Sequence, residues 1–284
     1  MTSLDTVRPD HDTGNITMGL IIDFHTHAFP DQLAKTAVPH LATEGGVEPF
    51  LDGRVDSLLS SMDAAGIEKS VVCSIATRPS QFGAILTWSE AIRSRRIIPF
   101  PSVHPADPAR EEQVRRIKDQ GFMGIKMHPY YQDFFLDEAR LLPVYEACSA
   151  LGLILVMHTG YDIAFPDTRR AVPQQIAAVM SRFPELKLVA THLGAWRLWD
   201  EVEEHLVGEP VFMDLSFSLD YLDQEQARRL ILKHPPHCVL FGSDSPWDGQ
   251  RRCVEKLRGL ALPTDLEERI LGGNAQALLD SVSS

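Results

Sequence analysis

Eight short apolar runs, rich in β-branched residues, recur along this chain, most of them at steps of about 25–35 residues, the size of one βαβ crossover. They are LIIDF (20–24), SVVCSI (70–75), IIPFPSV (97–103), FMGIKMH (122–128), LILVMHT (153–159), LKLVATH (186–192), VFMDLSF (211–217) and CVLFGSD (238–244). Strands that are apolar nearly throughout are buried on both faces, as in a parallel sheet. Amphipathic stretches with legible helix ends lie between them. The segment 107–121 opens on Asp-Pro and closes on Gly121, and 137–152 closes on Gly152. The segments 173–184, 223–235 and 265–280 read the same way. This alternation predicts an α/β fold, a (β/α)8 TIM barrel forming a single domain over 19–284. An open doubly wound sheet is the alternative, but no GxGxxG follows the first run. The longer step from 24 to 70 carries Pro30, Pro39, Gly45, Gly46 and Pro49, and is expected to form an extended loop over the barrel mouth. Polar residues 1–18 are expected to form a flexible tail.

Polar residues cluster at one end of these runs. His25 and His27 follow the first, Lys126 and His128 end the fourth, and His158, His192 and Asp244 end the fifth, sixth and eighth. In a barrel the C-terminal strand tips converge on one mouth, and scattered core histidines have no reason to choose the same end repeatedly. Imidazole and carboxylate are good ligands for zinc and related divalent metals, which lower the pKa of a bound water. Asp244 can ligate and relay a proton, while His192 can polarise a substrate oxygen or orient the water. Lys126 and His128 suggest a cationic patch for an anionic substrate; His128 packing beside Pro129 is the plainer alternative. Asp23 either orients a ligand histidine or caps a barrel layer. Asp214 and Ser216 either line the mouth or form a buried polar network. Trp196, Trp199, Trp247, Tyr130 and Tyr131 either wall a pocket or pack among loops. His104 reads as a turn residue.

The formal net charge of −12 speaks against binding a phosphate backbone, so no nucleic-acid partner is expected. No apolar run approaches the roughly 20 residues of a membrane span, and no secretory signal is visible at the start. The four cysteines form no CxxC pair, as expected of free thiols in a reducing cytosol. A cytoplasmic enzyme acting on a small molecule is the expectation, with apolar surface between helices suiting a homodimer.

HTH at 25–27, His158, THLG with His192 and FGSDSPW with Asp244 together resemble the amidohydrolase superfamily over residues 20–280. The likeness is to its amidohydrolase-related branch, which includes decarboxylases of the aminocarboxymuconate-semialdehyde type, lactonases and small-molecule hydrolases. The resemblance implies that His25, His27, His158 and Asp244 bind one divalent metal, most often zinc, and that His192 is the catalytic histidine. Lys126 stands where binuclear relatives carry a carboxylated lysine bridging two metals, and where single-metal relatives contact a substrate carboxylate. The expected activity is hydrolysis of an ester, lactone or amide of a small carboxylated molecule by a metal-activated water. The alternative is a zinc-dependent non-oxidative decarboxylase, since HTHAFP resembles the HxHxxP form found among such lyases. A barrel nuclease that also opens with HxH is disfavoured by the acidic charge and the lack of a basic, aromatic-laced patch. A binding protein without chemistry is disfavoured by the intact Asp244 and His192.

Overall fold

Each apolar run becomes a strand where its pattern places one: β1 Ile22–Thr26, β2 Lys69–Cys73, β3 Ile97–Phe100, β4 Gly124–Met127, β5 Ile154–Met157, β6 Lys187–Ala190, β7 Phe212–Asp214 and β8 Val239–Leu240. The structure, a computed structural model, describes residues 19–283, so the expected tail at 1–18 lies outside the described residues. The helices are α1 Asp31–Gly45, α2 Val55–Ala65, α3 Phe82–Ile92, α4 Arg110–Asp119, α5 Leu142–Leu151 and α6 Pro173–Arg182. They continue with α7 Trp199–His205, α8 Gln224–Lys233, α9 Gln250–Gly259, α10 Thr264–Glu268 and α11 Asn274–Ser283.

Strands pair in parallel and in chain order, β1 to β3 and β4 to β8. Two seams join these sheets into a barrel. At one, Lys126 N donates to Pro101 O at 2.9 Å. At the other, Phe24 N donates to Phe241 O and Asp244 N to His25 O, each at 2.8 Å. Closure leaves no unpaired edge. It also brings the tip of β1 against the tip of β8, which is where His25, His27 and Asp244 meet. The interior packs Ile22, Phe24, Val71, Phe100, Val156 and Leu240, with Leu278 and Leu279 of α11 joining the same cluster. A larger apolar layer lies between strands and helices. All four cysteines are buried and free. Among the described residues, no helix is long and apolar enough to cross a membrane.

Two expectations need correction. The segment from 24 to 70 is not an extended loop, because it folds into α1 and α2. Ala34 and Val38 are buried one turn apart, as are Leu58 and Met62, which gives each helix an apolar stripe to dock. Gly46 and Gly66 end them in the left-handed conformation, at φ 61° and 70°. Pro39 inside α1 costs that helix one hydrogen bond without preventing it. The expected helix over 265–280 divides into α10, a π-type turn at Arg269–Gly273, and α11. Gly272 makes the turn fit, since a Cβ there would lie 2.1 Å from Leu20 O.

Candidate metal centre and active-site mouth

One extra residue in β1 decides where the two histidines point. Asp23 pairs with Ser70 and Thr26 with Val72, so β1 is bulged against β2. A bulge re-aims the side chains that follow it. Phe24 packs into the barrel interior, and strict alternation would send the next residue, His25, to the opposite face. With the bulge, His25 and His27 both reach the mouth.

There His25 Nε2 and His27 Nε2 lie 3.4 and 3.2 Å from the same Asp244 Oδ1. Their other ring nitrogens are committed: His27 Nδ1 donates to Cys73 O at 2.8 Å and His25 Nδ1 to Asp214 Oδ2 at 2.9 Å. In a neutral ring this leaves Nε2 as a lone pair. Two lone pairs and a carboxylate oxygen therefore face one another. Three acceptors converge, and the donor beside them, Lys126 Nζ at 3.0 Å from His25 Nε2, leaves His27 Nε2 and Asp244 Oδ1 facing each other where a cation is required. Their spacing is what ligands held at about 2.0–2.2 Å around one ion show. The donor set fits a divalent metal. Burial lowers the pKa of His25 to about 4, with Lys126 adding to the effect and Asp214 and Asp244 opposing it, so the ring is a neutral ligand at pH 7. Burial alone would raise Asp244, but the surrounding histidines outweigh it and keep the carboxylate ionised.

Asp214 is the residue that orients His25. Its Oδ1 also accepts from His192 N at 3.2 Å and Ser216 N at 3.0 Å. Burial alone would raise its pKa, yet its contacts with His25 and Ser216 hold it at about 2. Asp214 and Ser216 thus form a buried polar network beneath the mouth. Asp23 touches no imidazole. It accepts from Ser243 N (2.9 Å), Ser243 Oγ (2.6 Å) and Gln250 Nε2 (2.8 Å), tying β1 to the loop that carries Asp244. Burial raises its pKa to about 6. Asp214→Asn can present its amide N–H₂ to His25 Nδ1 and reverse the tautomer. The variant is expected to lose about 10–100-fold in metal affinity, read by competition with a chelator; an unchanged affinity would refute the orienting role.

His192 and Asp244 both adopt left-handed backbone, at φ 59° and 66°. That costs a non-glycine residue on the order of 1–3 kcal/mol and persists only where the surroundings enforce it. Here Trp199 Nε1 donates to His192 O at 3.0 Å, fixing the turn after β6.

His158 stands outside the trio. Its Nδ1 is 3.0 Å from His192 Nε2, and its Nε2 is 3.0 Å from Tyr161 O and 3.6 Å from Asp162 Oδ2. Its ring stacks on His128 at 4.0 Å, and His128 Nε2 lies 3.3 Å from Asp162 Oδ2. His128, His158 and Asp162 are close enough to hold an ion. Stacked rings, however, send their lone pairs out side by side rather than to one point. The group is better described as two imidazoles sharing one carboxylate. Asp162, in the loop after β5, carries no sequence motif; its only signal is lying one helical turn beyond His158. Lys126 is buried, with Nζ 3.0 Å from His25 Nε2, and burial lowers its pKa, as formation of a carbamate requires. His104 accepts from Ala106 N through Nδ1 at 3.1 Å within a turn.

Above these groups lies a cavity of about 690 Å³. Trp196, Trp247 and Tyr131 line it, as does Trp88 of α3, which no motif announces. Tyr130 instead donates its hydroxyl to Gly160 O at 3.0 Å. α1 closes across the mouth, its Gly45 so near the loop after β5 that a Cβ would meet Ile163 at 3.2 Å.

A barrel with two histidines on its first strand tip and an aspartate on its last is the architecture of amidohydrolase-superfamily enzymes. The family model described as amidohydrolase matches residues 22–280, and the chain belongs to that family. It is 24% identical over 260 residues to a dihydroorotase of Helicobacter pylori (strain G27), covering 81% of this chain and 70% of that protein. It is 22% identical over 190 residues to a dihydroorotase of Acidovorax sp. (strain JS42), covering 64% of this chain and 50% of the relative. The chain therefore spans about half the length of the Acidovorax relative. In fold it resembles an uncharacterized TIM-barrel protein from Bordetella bronchiseptica, with a TM-score of 0.76 at 24% identity over 93% of this chain and 99% of that one. It also resembles 5-carboxyvanillate decarboxylase from Sphingomonas paucimobilis, with a TM-score of 0.68 at 16% identity over 92% and 99%.

Proposed function

We propose that this enzyme is a metal-dependent hydrolase of a small ester, lactone or amide. The supporting observation is the convergence of His25 Nε2, His27 Nε2 and Asp244 Oδ1, three acceptors whose arrangement suits one divalent ion. Nitrogen and carboxylate ligands favour zinc. When bound, such an ion is a Lewis acid for a substrate carbonyl and lowers the pKa of a coordinated water. Asp244 turns Oδ1 to the histidines, and its other carboxylate oxygen would be the base for a proton from water bound at the mouth. His192 donates Nδ1–H to Ser216 O at 2.9 Å, and its Nε2 pairs with His158 Nδ1 at 3.0 Å, so a proton taken up in the reaction would be shared between those two nitrogens. A second ion would require carboxylation of Lys126.

A non-oxidative decarboxylase would use the same residues, and the fold likeness to 5-carboxyvanillate decarboxylase keeps that reading in play. The two differ in where oxygen goes. Metal-loaded protein, incubated in ¹⁸O-labelled water with panels of esters, lactones, amides and aromatic acids, is expected to place one labelled oxygen in a carboxylic acid product. Release of carbon dioxide with no labelled oxygen in the remaining product would replace hydrolase by lyase. His192→Asn should lower the labelled turnover by about 10²-fold.

A further inference from the structure

α1 differs from every other helix of the barrel in how it is held. Among the described residues it places no side chain in either apolar cluster, whereas each of α2 to α11 contributes at least one. It buries only Ala34 and Val38 of its fifteen residues. Val38 rests against Gly53, where a Cβ would fall 2.5 Å from it. The polar side chains of α1 turn to their own helix: Lys35 Nζ donates to Gln32 Oε1 at 3.1 Å, Thr43 Oγ1 donates to Pro39 O at 2.8 Å, and His40 lies 3.4 Å from Glu44. Among the described residues, no hydrogen bond or ion pair joins an α1 side chain to the rest of the protein. The chain is anchored on either side of the helix instead, by Phe29 N to Gly53 O at 2.8 Å and Phe50 N to Pro246 O at 2.7 Å. Between those anchors lie Pro30 and the pair Gly45-Gly46, and Gly46, at φ 61°, has open space around it. A helix of this length is marginal without tertiary packing, and segments with few buried contacts open at low cost. The face α1 turns to the cavity carries Leu33, Ala37 and Leu41, four residues apart. These side chains belong to neither apolar cluster, so a molecule bound beneath them would cover them and favour the closed helix.

We infer that α1 is a lid, swinging about Pro30 and Gly45-Gly46 to admit substrate and closing on its apolar part through Leu33, Ala37 and Leu41. The lid closes against the loop after β5, where a Cβ on Gly45 would meet Ile163 at 3.2 Å. Its movement does not depend on which bond the enzyme breaks. Nitroxides at Lys35→Cys and Glu112→Cys, both exposed, report the position of α1 against α4 by electron–electron dipolar spectroscopy; the four native cysteines are buried. Glu112→Cys with Glu255→Cys, on α4 and α9, is the reference pair. In metal-free protein the reference pair is expected to give one narrow distance and the lid pair a second, distinct one. Val38→Ala, which removes the contact with Gly53, should raise that second population about fivefold. A lid pair as narrow as the reference in both the native and the Val38→Ala backgrounds overturns the inference. Gating is read with dipicolinate, a chelator that must pass the mouth to strip zinc. Gly45→Cys with Ile163→Cys places two Cβ atoms within disulfide reach. The oxidised, zinc-loaded variant is expected to lose zinc about tenfold or more slower than after reduction. Equal rates, or a pair that does not cross-link, overturn the gate. A protein that takes up no zinc would count against the metal centre alone, and the spin-label distances would still decide whether α1 moves.

Discussion

Asp244→Asn is expected to empty the metal centre and lower turnover by about 10³-fold or more, some 4 kcal/mol of transition-state stabilisation. Asp244 Oδ1 is the atom that both His25 Nε2 and His27 Nε2 face, at 3.4 and 3.2 Å. In the native chain all three atoms are acceptors, and Lys126 Nζ, 3.0 Å from His25 Nε2, meets only one of them, so His27 Nε2 and Asp244 Oδ1 still call for something positive between them. Asparagine removes the negative charge and brings an N–H₂ group. Turned toward the histidines, that group donates to their lone pairs and satisfies the site without an ion. The substitution therefore removes both the ligand and the reason for a ligand. Elemental analysis should find about one zinc per native chain and less than about a tenth of that in the variant. Thermal melts give a second reading: zinc should raise the native melting temperature by mass action and leave the variant's unmoved. A variant that keeps its full metal content would refute this description of the centre. About two ions per native chain would point to a carboxylated Lys126.

Gly160→Ala is expected to cost about 3–5 kcal/mol of stability, the largest loss from adding a single methyl group to the mouth. Gly160 follows β5, with φ 86°, and forms a parallel bridge with Trp196 in the loop after β6. Trp196 N donates to Thr159 O at 3.0 Å and Tyr161 N to Trp196 O at 3.1 Å, so the two chains are locked face to face. A Cβ at 160 would fall 2.0 Å from Trp196 N and 2.4 Å from Trp196 O. Both are backbone atoms, and neither can swing aside as a side chain would. Alanine must also adopt a left-handed φ that L-residues avoid. The bridge would open, and His158 and Asp162 on either side of it would move. A drop of about 10 °C in the melting temperature is expected. A variant melting within about 2 °C of the native protein would show that the bridge contributes little.

These two residues were not equally visible in the sequence. Asp244 stands at the end of CVLFGSD, the last apolar run, where a polar residue is conspicuous. The same logic picked out His25, His27, Lys126, His128, His158 and His192, because an apolar strand interrupted at its tip leaves a sharp local signal. Gly160 gives no such signal. Its need for glycine comes from Trp196, a residue far along the chain. Asp214 was visible only as an ambiguous polar residue in MDLSF, and nothing local shows that it faces a histidine 189 residues earlier. Asp162 lies in an irregular loop without periodicity. α1 and α2 were obscured by Pro39, Gly45, Gly46 and Pro49, although their buried residues follow helical spacing. There, packing of an amphipathic face outweighed local propensity.

The amino-acid sequence by itself determined the strand rhythm, the barrel and the end of it that carries chemistry, because periodicity and the placement of polar residues are properties of neighbours along the chain. Which side each polar group faces was decided only by the tertiary structure. The bulge between Asp23 and Thr26 turns His25 and His27 toward the mouth, and closure of β1 on β8 brings them to Asp244. The same packing leaves His158 with His192, His128 and Asp162 instead of with that trio. Side-chain direction at a strand tip depends on register and seam contacts with distant strands, and no window of local sequence contains them.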